Sequence, residues 1–408
     1  MANDTIKDTT LVRSGFIRTK QEREDQYKVT HLVTGKQFKV GQNTIDVLDY
    51  FQEPRSLQDV EVSPKMLSSL EFLFHKGLLV DQTHAQRDVF RTTTAHANLF
   101  GFEEYDEQST TQRIVLVGIP FGGGNASSPE TRRFPSVLRQ FAEGYNLKFG
   151  ENKSVNYRFM GNGATKPIHF GKHLEQKSIQ DGGDIFVHYY ESRADVYHKI
   201  SLIFDGIFAK GHIPFAFGGD HSITFPIVRS AAAHVPSFSV LHFDAHTDVY
   251  ASTFESILAD KGLHHHGNFV SHCLRLDAVN NYYQFGIRGV NNAFHKDEST
   301  KLKIAWIDEV RQFLRGEIEL ALPEDEYYYL TFDIDVLDPS IAPGTATPVP
   351  NGLTFDEVVA LFQKLKLHEK KIIGVDIVEV NPKNDINSIT VSIATQIIAN
   401  LLNIVLVA

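Results

Sequence analysis

From residue 112 onward, short runs of apolar residues alternate with longer stretches of helical period. Ile114–Ile119, Ile213–Phe217, Ser239–Phe243, Tyr328–Phe332 and Ile372–Ile377 have the length and near-continuous hydrophobicity of strands buried on both faces. Ser136–Ala142, Val196–Lys210, Phe355–Leu367 and Ser388–Leu402 carry the spacing of helices. This alternation predicts an α/β domain over residues 112–408, a parallel sheet flanked by helices on both faces. Ligands of such sheets bind beyond the carboxyl ends of the strands, so the polar residues just after each run are the ones to weigh.

The chain before residue 91 has a different pattern. Tyr27–Val33 and Lys36–Val40 flank Thr34-Gly35 and predict a β-hairpin. Asn43–Phe51 reads as a helix capped by Asn43, with Ile45, Leu48 and Phe51 on one face. Ser56–Val60 can start a short helix. Ser63–His75 reads as a second main helix, with Ser63 as cap and Pro64 in its first turn. Gly77–Val80 closes the unit as a strand. Strands, helices and a returning strand compose a small α+β, winged-helix-like domain over residues 1–90. Gln82–Thr111 is polar and irregular, so residues 91–111 read as a linker or wrapping segment.

Composition narrows the class without choosing a function. The 408 residues are 42% hydrophobic, enough for a full core, and carry a net charge of −10. The first 100 residues are charge-balanced, so the acidity resides in the remainder. An acidic C-terminal part argues against a nucleic-acid partner. Cys273 is the single cysteine, which excludes an internal disulfide and fits a reducing, cytoplasmic setting. No run reaches the roughly 18 consecutive apolar residues of a membrane helix, and no secretory signal opens the chain, so no membrane association is expected.

Three polar clusters follow the predicted strands. Gly218-Gly219-Asp220-His221 follows Ile213–Phe217, Asp244-Ala245-His246-Thr247-Asp248 follows Ser239–Phe243, and Asp333-Ile334-Asp335 follows Tyr328–Phe332. In an extended chain, side chains two and four residues apart share a face, so Asp244, His246 and Asp248 should converge, as should Asp333 and Asp335. A lone Asp-x-Asp more often marks a turn than a metal site. Four carboxylates gathered at one sheet edge, however, repel each other strongly unless cations neutralise them. With the imidazoles of His221 and His246, they make a donor set for two divalent ions.

Those clusters, together with Phe332–Thr347, resemble the ureohydrolase superfamily of arginases and agmatinases over about residues 112–408. The resemblance implies a dinuclear manganese site at His221, Asp244, His246, Asp248, Asp333 and Asp335; other divalent ions such as Ni2+ suit the same donors. It makes Asp244 and Asp333 bridging ligands, pairs His221 with Asp248 on one ion, and pairs His246 with Asp335 on the other. The implied activity is hydrolysis of a guanidino group to urea and an amine. Asp248 is then also a catalytic proton acceptor, Glu379 the carboxylate that holds the guanidinium fork, and His266 the proton shuttle. His264 and His265 stand beside His266, and alignment of Gly267 selects the last of the three. Thr347 falls in a loop near the substrate. Tyr250 stands where arginases hold the α-carboxylate with Asn, and Gly262 lies near the position of their expected serine. That departure argues against free arginine.

The unit over residues 1–90 resembles in pattern the recognition elements of enzymes that modify ribosomally made peptides. Its implied partner is an arginine-containing precursor peptide, bound through its leader segment as an added strand. Peptide arginine converted to ornithine is therefore the leading expectation. A small-molecule guanidino hydrolase with a merely structural N-terminal domain is the alternative, and a non-catalytic regulator a distant third. Homo-oligomer formation stays open.

Overall fold

The computed structural model describes residue 6 and residues 9–31, 37–59, 63–82, 98–106, 111–150, 176–187, 191–249, 264–290, 300–324 and 326–407. The chain divides into two compact units, residues 1–91 with 186–192 and residues 92–185 with 193–408.

The first unit runs β1 (Thr10–Arg13), β2 (Ile17–Arg23), β3 (Gln26–His31), β4 (Gln37–Gly41), α1 (Gln42–Tyr50), β5 (Arg55–Ser56), α2 (Pro64–His75) and β6 (Leu79–Asp81). β3 and β4 pair antiparallel as the hairpin pattern predicts, with Val29 opposite Phe38; Thr34-Gly35 lies outside the described residues. β2 adds a third strand on β3 that the pattern did not announce, because its outer half is polar and exposed. β5, β1 and β6 form a second antiparallel sheet. Ser63 caps α2 by accepting from Met66 N at 3.3 Å. The cap assigned to Asn43 is not found: α1 starts one residue earlier, on Gly41 without a side-chain cap. Gln42 secures this end, accepting from the Tyr27 hydroxyl and donating to Asp46. Leu11, Val29, Leu48, Phe51, Leu70 and Leu79 fill the core between sheets and helices.

The second unit holds an eight-stranded parallel sheet: β7 (Ile114–Gly118), β8 (Ile179–Asp184), β9 (Ile213–Phe217), β10 (Phe238–Phe243), β11 (Val279–Ile287), β12 (Leu302–Trp306), β13 (Tyr327–Asp333) and β14 (Lys371–Val378). The order is β12-β11-β10-β13-β14-β9-β7-β8. Among the described residues the helices are α3 (Phe134–Gly150), α4 (Arg193–Ala209), α5 (Thr224–His234), α6 (Phe269–Cys273), α7 (Ile307–Arg315), α8 (Phe355–Lys364) and α9 (Ile389–Val407). One sheet face presents Phe215, Phe217, Leu241, Phe243, Leu330 and Phe332 to Leu138 of α3, Phe362 of α8 and Ile398 and Leu402 of α9. Each such side chain contributes about 1.5–3 kcal/mol on full burial. The opposite face is covered by α4 and α5, which pack on each other and on β9 and β14.

α9 is long and apolar enough by composition to cross a membrane, yet 61% of its 18-residue apolar window is buried in the fold, as in a core helix. Residues 98–106 belong to this second unit. Leu99, Phe100 and Phe102 are buried in its core, and Leu99 N donates to Asp181 Oδ2 at 2.7 Å. β8 escaped the sequence pattern because its buried residues include Asp181 and Asp184. Arg139 of α3 neutralises both at 2.5 and 2.8 Å.

Candidate active site

All three sequence clusters lie at the carboxyl ends of β9, β10 and β13, adjacent to one another across the central strands. The local conformations differ from the extended chain expected. Asp333 ends β13 and caps the 3-10 turn Ile334–Val336, accepting from Asp335 N at 2.8 Å through Oδ1. Residues after Asp244 bend at once, and Asp248 takes the left-handed conformation at φ 48°. Turns, rather than strand alternation, bring the acids together. Gly219, at φ 77°, lets the chain turn into His221; a Cβ there would meet Phe121 O at 2.6 Å.

His221 Nδ1 lies 3.1 Å from Asp244 Oδ2, 3.1 Å from Asp333 Oδ2 and 3.4 Å from Asp248 Oδ2. His246 Nδ1 lies 3.0 Å from Asp335 Oδ2 and 3.5 Å from Asp244 Oδ1. Asp244 thus reaches both imidazoles with different oxygens, the disposition of a bridging ligand. His242, which the sequence reading passed over, contacts Asp244 Oδ2 at 2.7 Å through Nε2. Thr347 Oγ1 donates to Asp335 Oδ2 at 3.1 Å, so its hydroxyl orients that carboxylate. Behind that loop the buried Arg288 guanidinium donates to Asp335 O at 2.7 Å and Val349 O at 2.8 Å, tying the two segments together.

The electrostatics are those of crowded buried acids that share the counter-charge of two imidazoles, both pushed upward by the carboxylates around them against the cost of burial. Burial, then the neighbouring carboxylates, pushes Asp248 and Asp333 well above the usual carboxylate range. Burial also opposes ionisation of Asp244, but His242, His221 and His246 outweigh it and hold this acid well below that range. His221 Nδ1 is buried without a hydrogen-bond partner, although three carboxylate oxygens surround it. An imidazole lone pair facing several acids is a donor set for a divalent cation, and the His246, Asp335 and Asp244 group offers a second one.

Glu379 stands after β14 in the left-handed region at φ 60° and is 2% exposed. Its Oε1 accepts from His221 N at 2.9 Å, while Oε2 is buried and unpartnered. Burial, then Asp220, pushes its carboxyl well above the ordinary range. The three adjacent histidines separate clearly. His264 is buried, stacks on Tyr197 at 4.0 Å and donates to Ser222 O. His265 shapes the following turn through Gly267 N and Asn268. His266 alone faces the acids, with Nδ1 3.8 Å from Glu379 Oε1. Burial, then His221 and His246, pushes it down to about 4, so it is neutral at pH 7. Tyr250 and Gly262 lie outside the described residues. The sequence reading also missed Asp220, buried beneath this wall, which accepts from Gly124 N at 2.8 Å; Gly124 O in turn accepts from His266 N.

A parallel α/β sheet with a buried cluster of acids and imidazoles beyond its central strands is the architecture of a divalent-metal hydrolase. The sequence model of the arginase family matches residues 112–403, and the chain belongs to that family. It is similar to an agmatinase of Proteus mirabilis, 32% identical over 305 residues that cover 72% of this chain and 89% of that protein. An agmatinase of Escherichia coli strain SE11 is 31% identical, over 76% of this chain and 94% of its own length. Among solved structures, proclavaminate amidino hydrolase from Streptomyces clavuligerus superposes with a TM-score of 0.59 at 26% identity. It covers 76% of this chain and 97% of that one. The protein is thus a guanidino hydrolase of the arginase family, with a histidine–aspartate cluster suited to two metal ions.

Proposed function

We propose that the chain hydrolyses the terminal guanidino group of a small amine-like substrate of the agmatine type, releasing urea and the corresponding amine, with two Mn2+ as its ions. The buried, unpartnered Oε2 of Glu379 carries this reading. A guanidinium presents paired N–H donors to such a carboxylate and relieves the charge that burial opposes. The relatives named agmatinase, matched over nearly their full length, support the small substrate.

His221 and Asp248 would hold one ion and His246 and Asp335 the other, with Asp244 and Asp333 shared between them. Bound divalent cations lower the pKa of water enough to supply a nucleophile at neutral pH. Glu379 fixes the guanidinium carbon above the acid cluster. Asp248 would take the proton that the nucleophile loses. His266, neutral at pH 7 and partly open to solvent, relays a proton to the departing amine.

The N-terminal unit favours a second reading. Among the described residues, β2 and β4 each pair on one side only, so the β2-β3-β4 sheet offers free edges to an extended peptide. On that reading the substrate is arginine in a precursor peptide held by its leader, and ornithine remains in the chain. Mass spectrometry of urea release, with agmatine and arginine-containing peptides offered side by side to the full-length protein, decides between them. Consumption of agmatine with unchanged peptide is expected. Conversion confined to the peptide overturns the primary proposal.

A further inference from the structure

Four polar residues form an unbroken row across the buried sheet face beneath the acid cluster. Gln284 of β11 pairs in register with His242 of β10, His242 with Thr331 of β13, and Thr331 with Asp376 of β14. All four are 0% exposed. A polar row at that depth costs about 1–3 kcal/mol for every group left without a partner, so its retention calls for a reason.

Its hydrogen bonds define the protonation of two imidazoles. Thr331 Oγ1 lies 2.6 Å from Asp376 Oδ1 and donates its one hydrogen there; Tyr329 donates to the other oxygen of Asp376 at 2.6 Å. The contact between Thr331 Oγ1 and His221 Nε2, at 2.8 Å, must then be a hydrogen bond donated by His221. With Nε2 committed to Thr331, Nδ1 is the nitrogen through which His221 faces the three carboxylates and can give a lone pair to an ion held among them. At the other end of the row, Gln284 Nε2 lies 2.7 Å from Thr247 O, which sets the amide orientation, since two carbonyl oxygens would repel. The same Nε2 donates to His242 Nδ1 at 3.0 Å. His242 therefore carries its proton on Nε2 and donates to Asp244 Oδ2.

We propose that the Gln284–His242–Thr331–Asp376 row is a positioning device for the metal centre: Thr331 and Asp376 make His221 a ligand, while Gln284 makes His242 a clamp on Asp244. By proximity alone His242 groups with His221, Asp244 and Asp248 as a ligand. Its tautomer removes it from the set, because the nitrogen nearest the acids already bears hydrogen. The inference rests on the metal-centre reading of the site and is independent of the substrate.

Calorimetric titration of Mn2+ into the metal-free full-length protein tests it, with electron paramagnetic resonance to report coupling between neighbouring ions. Wild type is expected to bind two coupled ions. Thr331→Val, which removes the acceptor, should weaken one of the two binding events by roughly 10- to 100-fold. At limiting Mn2+ it should give an uncoupled, single-ion signal. Thr331→Ser keeps the hydroxyl and should restore both the affinity and the coupling. Gln284→Leu, acting through His242 on Asp244, should also weaken binding, and it decides the matter if Thr331→Val does not fold. Two ions bound with wild-type affinity in Thr331→Val, or in Gln284→Leu if only that variant folds, overturn the proposal; so does Thr331→Ser binding as poorly as Thr331→Val. Wild type that takes up no Mn2+ is a different failure, since it removes the metal centre itself.

Discussion

Glu379→Gln should separate activity from stability, because the same carboxylate serves one at the expense of the other. In the metal-free chain its carboxyl is pushed upward by burial and by Asp220, so the ionised form costs folding energy at neutral pH. The raised value means that any stability this group adds is present in acid and lost as pH rises. A neutral glutamine relieves that cost, and its carbonyl oxygen can still accept from His221 N at the 2.9 Å contact. Thermal stability should therefore hold or rise. The guanidinium, however, loses a charge-assisted partner worth about 1.5–3 kcal/mol, which is about a 10- to 150-fold fall in kcat/KM. The assay is urea release over a range of agmatine concentrations, beside melting of the same samples without metal. Unchanged kcat/KM refutes the role given to Oε2. A melting temperature several degrees lower would show that Glu379 is a structural ion partner instead.

Other consequences are open to direct measurement. Removing divalent ions with a chelator should abolish urea release and lower the melting temperature; at free Mn2+ a hundred times its dissociation constant, the ion adds about 2.7 kcal/mol, recovered on Mn2+ addition. Arg139→Met should cost about 3–5 kcal/mol in urea denaturation, since it strands the buried Asp181 and Asp184 without a counter-charge. His264, pushed down to about 3 chiefly by burial, stays neutral in the fold while an unfolded imidazole titrates near 6.5. Its contribution is thus complete above about pH 6.5 and falls by up to about 1.4 kcal/mol per pH unit down to about pH 3. Denaturation midpoints measured at stepped pH should show a shallower acid loss in His264→Gln, and equal slopes would refute the assignment.

The five strands read from apolar runs were legible because a strand buried on both faces needs hydrophobic residues at successive positions. β8, β11 and β12 were not, and each conceals itself differently. β8 buries acids that only Arg139, far away in the chain, can neutralise. β11 carries Asn280 and Gln284 within its span, and β12 is a short edge strand with an exposed Lys303. A signal for the polar row was nonetheless present, since His242 and Thr331 interrupt otherwise apolar strands and isolated polar residues there need partners.

Residue type and position after a strand are properties of the chain alone. They sufficed to single out His221, Asp244, His246, Asp248, Asp333 and Asp335, because ion-binding chemistry calls for acids and imidazoles at strand ends; Glu379 needed the family resemblance as well. Which nitrogen of a histidine faces the acids, which of three neighbouring histidines turns inward, and which acid stays ionised depend on groups distant in sequence. Register across β11, β10, β13 and β14 sets the first, the stacking of His264 on Tyr197 sets the second, and the imidazoles of His242, His221 and His246 around Asp244 set the third against the cost of burial. Only folding brings those groups within hydrogen-bonding distance, so only the tertiary structure could decide them.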